Sequence, residues 1–249
     1  MRVTLLGCGG WFTTDERRTC SVLVQTKGAQ FVFDAGSGFT RLRNYLNPQK
    51  PLFLFLTHYH VDHIAGLFSD LLFGRKAQHI TVVGQPGVKR DVMAFFNQPY
   101  SSYKPTNLSF VEMRCGASKK FADARITAEE LVHTSPCIGF RLKHGGKSVA
   151  YITDTQFCPS SVKLSRNADL VLHDSTFLES ERPRFPPNLG GHSTSVEAAR
   201  AAKQAGARKL VLFHLSALYS TKHLAELLED AKKVFPATVL AHDLMEFKL

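Results

Sequence analysis

Between residues 58 and 63 the chain reads His58-Tyr59-His60-Val61-Asp62-His63, directly after the apolar run 52–56. Imidazoles and a carboxylate packed this densely must be held in one place by the fold around them. A strand points successive side chains to opposite faces, so His58 and His60 share a face and can grip one metal ion. Asp62 and His63 come after the strand has ended, where the chain can turn and face a second ion. Chemistry placed where a strand gives way to a loop is the habit of open α/β architectures.

The rest of the chain fits that class. Short runs rich in Val, Ile, Leu and Phe predict strands at 3–6, 21–25, 30–33, 52–56, 80–83, 108–112, 138–142, 148–152, 170–173, 210–213 and 238–241. Helices are predicted at 62–73, 195–205 and 222–234. The second has Thr194 as N-cap with Glu197 three residues on, and Gly206 at its end. The third opens after Ser220-Thr221 and stops before Pro236. A strand-rich first half followed by a βα-rich second half predicts two mixed sheets sandwiched between helices. No linker, repeat or low-complexity segment divides it, so a single domain over 1–249 is expected.

A hydrophobic fraction of 44% and a charged fraction of 21% allow a large core. No apolar stretch approaches the roughly 20 residues of a membrane span, and residues 1–10 read as a strand running into a glycine turn, not a signal peptide. Cys8, Cys20, Cys115, Cys137 and Cys158 are scattered, with no C-x-x-C pair. That argues against a disulfide framework or a cysteine zinc knuckle, and a reducing cytoplasm is expected. Cys137 and Cys158 read as small buried fillers. The net charge of +10 is either a solvated surface or a field that attracts RNA, nucleotides or phosphate esters. The basic residues form no run, which leaves both readings open.

Further metal donors stand at predicted strand ends. His133 follows the segment 125–132, Asp154 follows 148–152, and His214 closes 209–213. A short carboxylate such as Asp154 could bridge two ions. Two polar, proline-containing loops, 97–107 and 180–191, read by default as ordinary surface loops, and either could cover a site and contact a base or a phosphate. His79, His144, His223 and His242 read as surface or strand-end residues, and His173 should face away from its neighbour Asp174.

Together these segments resemble a metallo-β-lactamase-fold hydrolase of the ribonuclease Z-like phosphodiesterase branch. The motifs are Phe33-Asp34-Ala35-Gly36, the 58–63 cluster, His133-Thr134-Ser135-Pro136 with Gly139-Phe140, and Thr153-Asp154-Thr155. They continue with Asp174-Ser175-Thr176-Phe177, Gly190-Gly191-His192-Ser193-Thr194 and His214. The cluster carries the superfamily; the Asp-Ser-Thr-Phe and His-Ser-Thr elements carry the branch. The resemblance implies an αββα sandwich and one ion held by His58, His60, His133 and Asp154. A second would be held by Asp62, His63, Asp154 and His214, with Asp154 bridging. Imidazole and carboxylate donors suit zinc, with manganese or iron as alternatives. Such a pair shares and activates a water that attacks phosphorus, Asp62 accepting its proton. His192 would be a non-ligand that contacts the phosphate and assists the leaving oxygen, oriented and charged by Asp174. Asp34 would support the cluster's loop by hydrogen bonds. The family also implies a homodimer.

Two departures bear on the substrate. Only residues 134–153 separate His133 from Asp154, where bacterial ribonuclease Z enzymes carry a long tRNA-gripping arm. The family's His-x-Ser-x-Arg-Tyr ending reads His214-Leu215-Ser216-Ala217-Leu218-Tyr219 here. The leading expectation is therefore a small or nucleotide phosphodiester. A tRNA 3′-processing endonuclease, a hydrolase of a lactone, thioester or amide, and a metal-binding module without catalysis are the alternatives.

Overall fold

The computed structural model describes residues 1–73, 78–183 and 190–249, so part of the 180–191 loop, residues 184–189, lies outside the described residues. Within them the chain forms two seven-stranded sheets. The first joins β1 (Arg2–Gly7), β2 (Ser21–Gln25), β3 (Gln30–Phe33), β4 (Leu52–Phe55), β5 (Ile80–Gly84) and β6 (Leu108–Glu112), with β14 (Glu246–Lys248) on the β1 edge. The second runs β7 (Ser118–Phe121), β8 (Ala124–Leu131), β9 (Cys137–His144), β10 (Lys147–Ile152), β11 (Leu170–Asp174), β12 (Leu210–Phe213) and β13 (Thr238–Leu240). Each sheet begins as an antiparallel meander and ends parallel, β3 to β6 in the first and β10 to β13 in the second. The expected α/β sandwich of mixed sheets is the fold observed.

Period-two alternation decides which face each residue serves. Val22, Val24, Phe31, Phe33 and Phe55 enter the core between the sheets. Their neighbours Leu23, Val32, Leu54 and Leu56 enter a second core on the outer face of the first sheet. That outer core is closed by Phe39 and Leu42 of a 3₁₀ segment (Ser37–Asn44) and by Val88 and Val92 of α3 (Val88–Ala94). On the second sheet α4 (Pro159–Ser165), α5 (Ser195–Gln204) and α6 (Thr221–Val234) supply the cover. Thr194 and Glu197 close the capping box that their spacing predicts for α5. Phe140 of β9 bridges the sheets, its ring 5.9 Å from Phe33 and 5.3 Å from Phe55.

Some elements differ from the sequence reading, each for a physical reason. The helix expected over 62–73 is broken into α1 (Val61–Ile64), a 3₁₀ turn (Ala65–Leu67) and α2 (Asp70–Phe73). The His63 carbonyl accepts from Ala35 N–H at 2.8 Å, and Gly66 N–H turns to Ala35 O at 2.8 Å. A Cβ on Gly66 would lie 2.1 Å from the Gly36 carbonyl oxygen, so the segment is moulded onto the 35–36 backbone. β7 escapes the hydrophobic pattern because it is a lysine-bearing edge strand, and β14 because it is three residues long. No helix among the described residues is long and apolar enough to cross a membrane.

Phe140→Ala should remove a buried ring that packs on both Phe33 and Phe55 across the sheets. The expected cost is about 3–5 kcal/mol, read as a lower urea midpoint with an unchanged slope.

Candidate active site

The 58–63 cluster does not ride on a strand as its alternation predicts. β4 ends at Phe55, and residues 57–60 leave the sheet as a loop before α1 begins at Val61. Ring orientation is instead set from behind. His63 Nδ1 donates to Asp34 Oδ2 at 2.8 Å and His133 Nδ1 to Gly191 O at 3.0 Å. The Thr57 hydroxyl donates to Asp34 and accepts from His58 Nδ1 at 3.0 Å. The Thr176 hydroxyl donates to Asp174 Oδ1 at 2.7 Å and accepts from His214 Nδ1 at 2.9 Å. Each ring is thereby fixed in the tautomer that leaves an Nε2 lone pair facing inward, as metal-ligating histidines require. His60 turns the other way, its Nδ1 lying 3.3 Å from His133 Nε2.

Asp154 sits at the centre. Its Oδ1 faces His63 Nε2 at 3.2 Å and His214 Nε2 at 3.4 Å, while Oδ2 faces His58 Nε2 at 3.7 Å and His133 Nε2 at 3.8 Å. His58, His60, His133 and Asp154 converge closely enough to share one ion. Asp62 joins the other group, with Oδ2 3.5 Å from His63 Nε2 and 3.3 Å from His214 Nε2, and accepts the Trp11 N–H at 2.8 Å. The Nε2 atoms of His58 and His63 are buried without a hydrogen-bond partner. Orphan nitrogens converging on buried carboxylates fit divalent cations well. All the donors named from the sequence are thus brought together.

The backbone is bent to achieve this. Asp34, Asp154 and His214 all adopt left-handed φ, at 56°, 54° and 54°, a strained choice for residues with a Cβ. Gly10 permits the final approach, since a Cβ there would lie 2.4 Å from the His214 ring.

Charge is distributed unevenly. Burial works against ionisation of Asp154, but the charges of His214, His63 and His58 outweigh it and hold the carboxyl well below its usual range. Asp62 is lowered in the same way against burial, by hydrogen bonds and charge from His214 and His63. Burial, helped by neighbouring His63, pushes His58 down, and burial chiefly lowers His133. His63 moves up, because Asp154 and Asp34 overcome its burial.

His192 approaches from the other side. Its Nδ1 is 2.8 Å from Asp174 Oδ2, and its ring stacks on His214 at 5.1 Å and meets His133 edge-on at 5.1 Å. Burial disfavours its charge, yet the Asp174 carboxylate and its hydrogen bond raise it to about 9. Asp154, His192 and His214 also converge as a group able to hold an ion. Two clefts flank the centre. One of about 330 Å³ opens against His60, lined by Tyr59, Gln85, Arg90 and Ser135; the other, about 170 Å³, lies against His192, Phe157, Phe177 and Arg182.

Thr57, Tyr151, Thr176 and the Trp11 N–H escape the sequence reading. Thr176 lies within the quoted Asp-Ser-Thr-Phe motif, yet a hydroxyl acting through a histidine carries no spacing of its own. His173 is buried with Nδ1 donating to the Asp174 carbonyl at 2.9 Å, away from the donors as expected. Cys20 Sγ lies near His63 and His214, but burial pushes its thiol up and it donates to Gly9 O at 3.3 Å. Among the described residues no hydrogen bond or ring contact joins the 97–107 loop to the metal donors. Gly191, in the other loop, supports His133.

Comparison with known proteins places these residues in context. Residues 15–215 match the family description "Beta-lactamase superfamily domain". A ribonuclease Z from Acaryochloris marina is 30% identical over 311 aligned positions, covering 100% of this chain and 98% of that protein. About sixty of those positions therefore have no counterpart among the 249 residues here. The metallo-beta-lactamase fold protein YhfI from Bacillus subtilis superposes with a TM-score of 0.85, at 27% identity over 99% of both chains. The short form of human tRNase Z shares the fold at a TM-score of 0.76 and 23% identity, over 100% of this chain and 99% of that one.

Thr176→Val keeps the shape but removes the hydroxyl that joins Asp174 to His214. Metal affinity should fall about 10–100-fold, measured by chelator competition, with thermal stability of the loaded protein close to wild type.

Proposed function

The chain belongs to the beta-lactamase superfamily as a metal-dependent hydrolase, and from that membership we propose a dinuclear phosphodiesterase that cleaves RNA. The observation that carries the dinuclear reading is the division of Asp154, one oxygen toward His63 and His214 and the other toward His58 and His133. We assign one ion to His58, His60, His133 and Asp154, and the other to Asp62, His63, His214 and Asp154. The imidazole-rich donor set favours zinc. When bound, two such ions supply Lewis-acid charge for a phosphate and a water of lowered pKa.

The chain's own residues do the rest. Asp62, ionised and pinned by the Trp11 N–H, would help hold the second ion and would be the carboxylate to take a proton from a water activated there. His192 holds a proton against Asp174 and donates from Nε2 to the leaving oxygen, a task suited to a His–carboxylate pair. Thr176 keeps that pair in line with His214. The clefts beside His60 and beside His192 can each take one arm of a phosphodiester, which a lactone or thioester would not require. The ribonuclease relatives favour RNA over the small phosphodiester expected from the sequence. A small nucleotide phosphodiester is the second reading, supported by the short 134–153 span and the sixty positions that the relative has in excess.

Zinc-reconstituted protein should contain two ions per chain by elemental analysis and should hydrolyse bis(p-nitrophenyl) phosphate. One ion at saturation would sink the dinuclear mechanism. Cleavage of a 3′-extended precursor tRNA, set against cyclic nucleotides, decides between the two substrate readings.

Asp154→Ala should lose metal at both sites, with activity down at least about a thousandfold, since charge clamping and water activation fail together. Normal occupancy in this variant would mean that the bridge lies elsewhere.

His192→Ala should retain both ions while losing about 10²–10⁴-fold in rate on a substrate with an alkoxide leaving group. The loss should be smaller with p-nitrophenolate, which needs little protonation. Loss of an ion instead would make His192 a ligand.

A further inference from the structure

A cavity of about 930 Å³ lies away from the metal donors. It is framed by the β9–β10 hairpin, β7, β8 and the residues that follow α4. β10 enters it at Lys147 and Ser148 and delivers Asp154 to the metal centre beyond its far end. At about 3.3 Å per strand residue, the groove and the metal centre are on the order of 20 Å apart. β11 and β12 have the same polarity, with Asp169 and Arg208 at the groove end and Asp174 and His214 at the other.

Charge sets this groove apart. Eight lysines and arginines face three carboxylates there, which leaves five of the chain's ten net positive charges in one place. The carboxylates are already engaged. Asp169 pairs with Lys147 and Arg208, Glu129 with Lys163, and Asp123 with His144. Lys120, Arg125, Lys143 and Arg166 have no carboxylate within 4.0 Å among the described residues. Beneath them Arg141 is buried, its guanidinium donating to the carbonyls of Leu164 and Arg166 and to Ser148 Oγ, with no acidic partner in contact. A fixed, buried positive charge under a concave basic surface focuses the field outward.

We propose that this groove is a docking site for the phosphate backbone of RNA, remote from the bond to be cut. The inference rests on the reading of RNA as the substrate and adds a second contact surface to it. An open groove with cations drawn from β7, β8, β9 and the α4 exit suits several spaced phosphates better than one compact anion. No Phe, Tyr or Trp lines it, so bases find no stacking platform. Recognition there is of the backbone and is indifferent to sequence.

The test combines Lys120→Ala, Arg125→Ala, Lys143→Ala and Arg166→Ala in the zinc-loaded protein, with Lys143→Glu as a milder variant should the combination lower thermal stability. A fluorescent hairpin RNA is titrated between about 50 and 200 mM salt, and bis(p-nitrophenyl) phosphate turnover is followed in parallel. Removing four phosphate contacts should weaken RNA binding at least tenfold and flatten the log–log salt slope by about three. Turnover of the small substrate should be unchanged. Wild-type RNA affinity and slope in the combined variant would overturn the proposal. So would unchanged RNA binding with an altered sedimentation coefficient, which would make the groove a contact between copies of this chain. If RNA binding falls as expected but wild-type protein hydrolyses neither substrate, the groove stands and the catalytic reading fails.

Discussion

The hydrogen-bond net around Asp34 is the interaction on which the remainder depends. This fully buried carboxylate accepts from the backbone and hydroxyl of Thr57, from His63 Nδ1 and from the Tyr151 hydroxyl. Those partners come from the exit of β4, from α1 and from β10 in the opposite sheet. One side chain therefore ties both sheets to the donor loop. A buried charge is tolerable only when its lone pairs are filled this completely. Thr57 and His63 pass the restraint on to the metal-facing nitrogens, which extends the rigidity of the core into the site.

The protein without its ions holds a crowd of imidazoles that disagree about protonation. His58 and His133 are pushed toward neutrality by burial, while His63 is drawn toward charge by Asp154 and Asp34. Metal binding requires all of them neutral at the ligating nitrogen, so it releases protons and couples the site to pH. The left-handed backbone at Asp34, Asp154 and His214 points the same way: strain collects where the donors are aimed.

Most of the architecture was legible in the sequence because short continuous runs of Val, Ile, Leu and Phe mark nearly every central strand, buried on both faces. The donors were legible because metal chemistry confines them to a few residue types at strand ends. The strand-borne presentation of His58 and His60 was misread, since alternation says nothing about where a ladder stops. Gly66 broke the expected 62–73 helix through contact with Gly36, a neighbour thirty positions away in sequence. Thr176 and Thr57 stayed hidden because a threonine behind a histidine looks like any other threonine. The basic groove was invisible for a topological reason. Its cations are scattered from Lys120 to Arg208, and only the folding of β7 to β12 gathers them.

The seam between the two halves of the chain has a mechanical meaning. β1 to β6 deliver His58, His60, Asp62 and His63; β7 to β12 deliver His133, Asp154 and His214; and β14 alone returns to grip the first sheet. Neither half owns a complete coordination sphere. Ions held here would act as rivets through the interface, closing loops of seventy residues and more at a stroke. A chain nicked between β6 and β7 would still be held by the shared core, by β14 on β1 and by the Tyr151–Asp34 bond, and the ions would add a fastening to that seam.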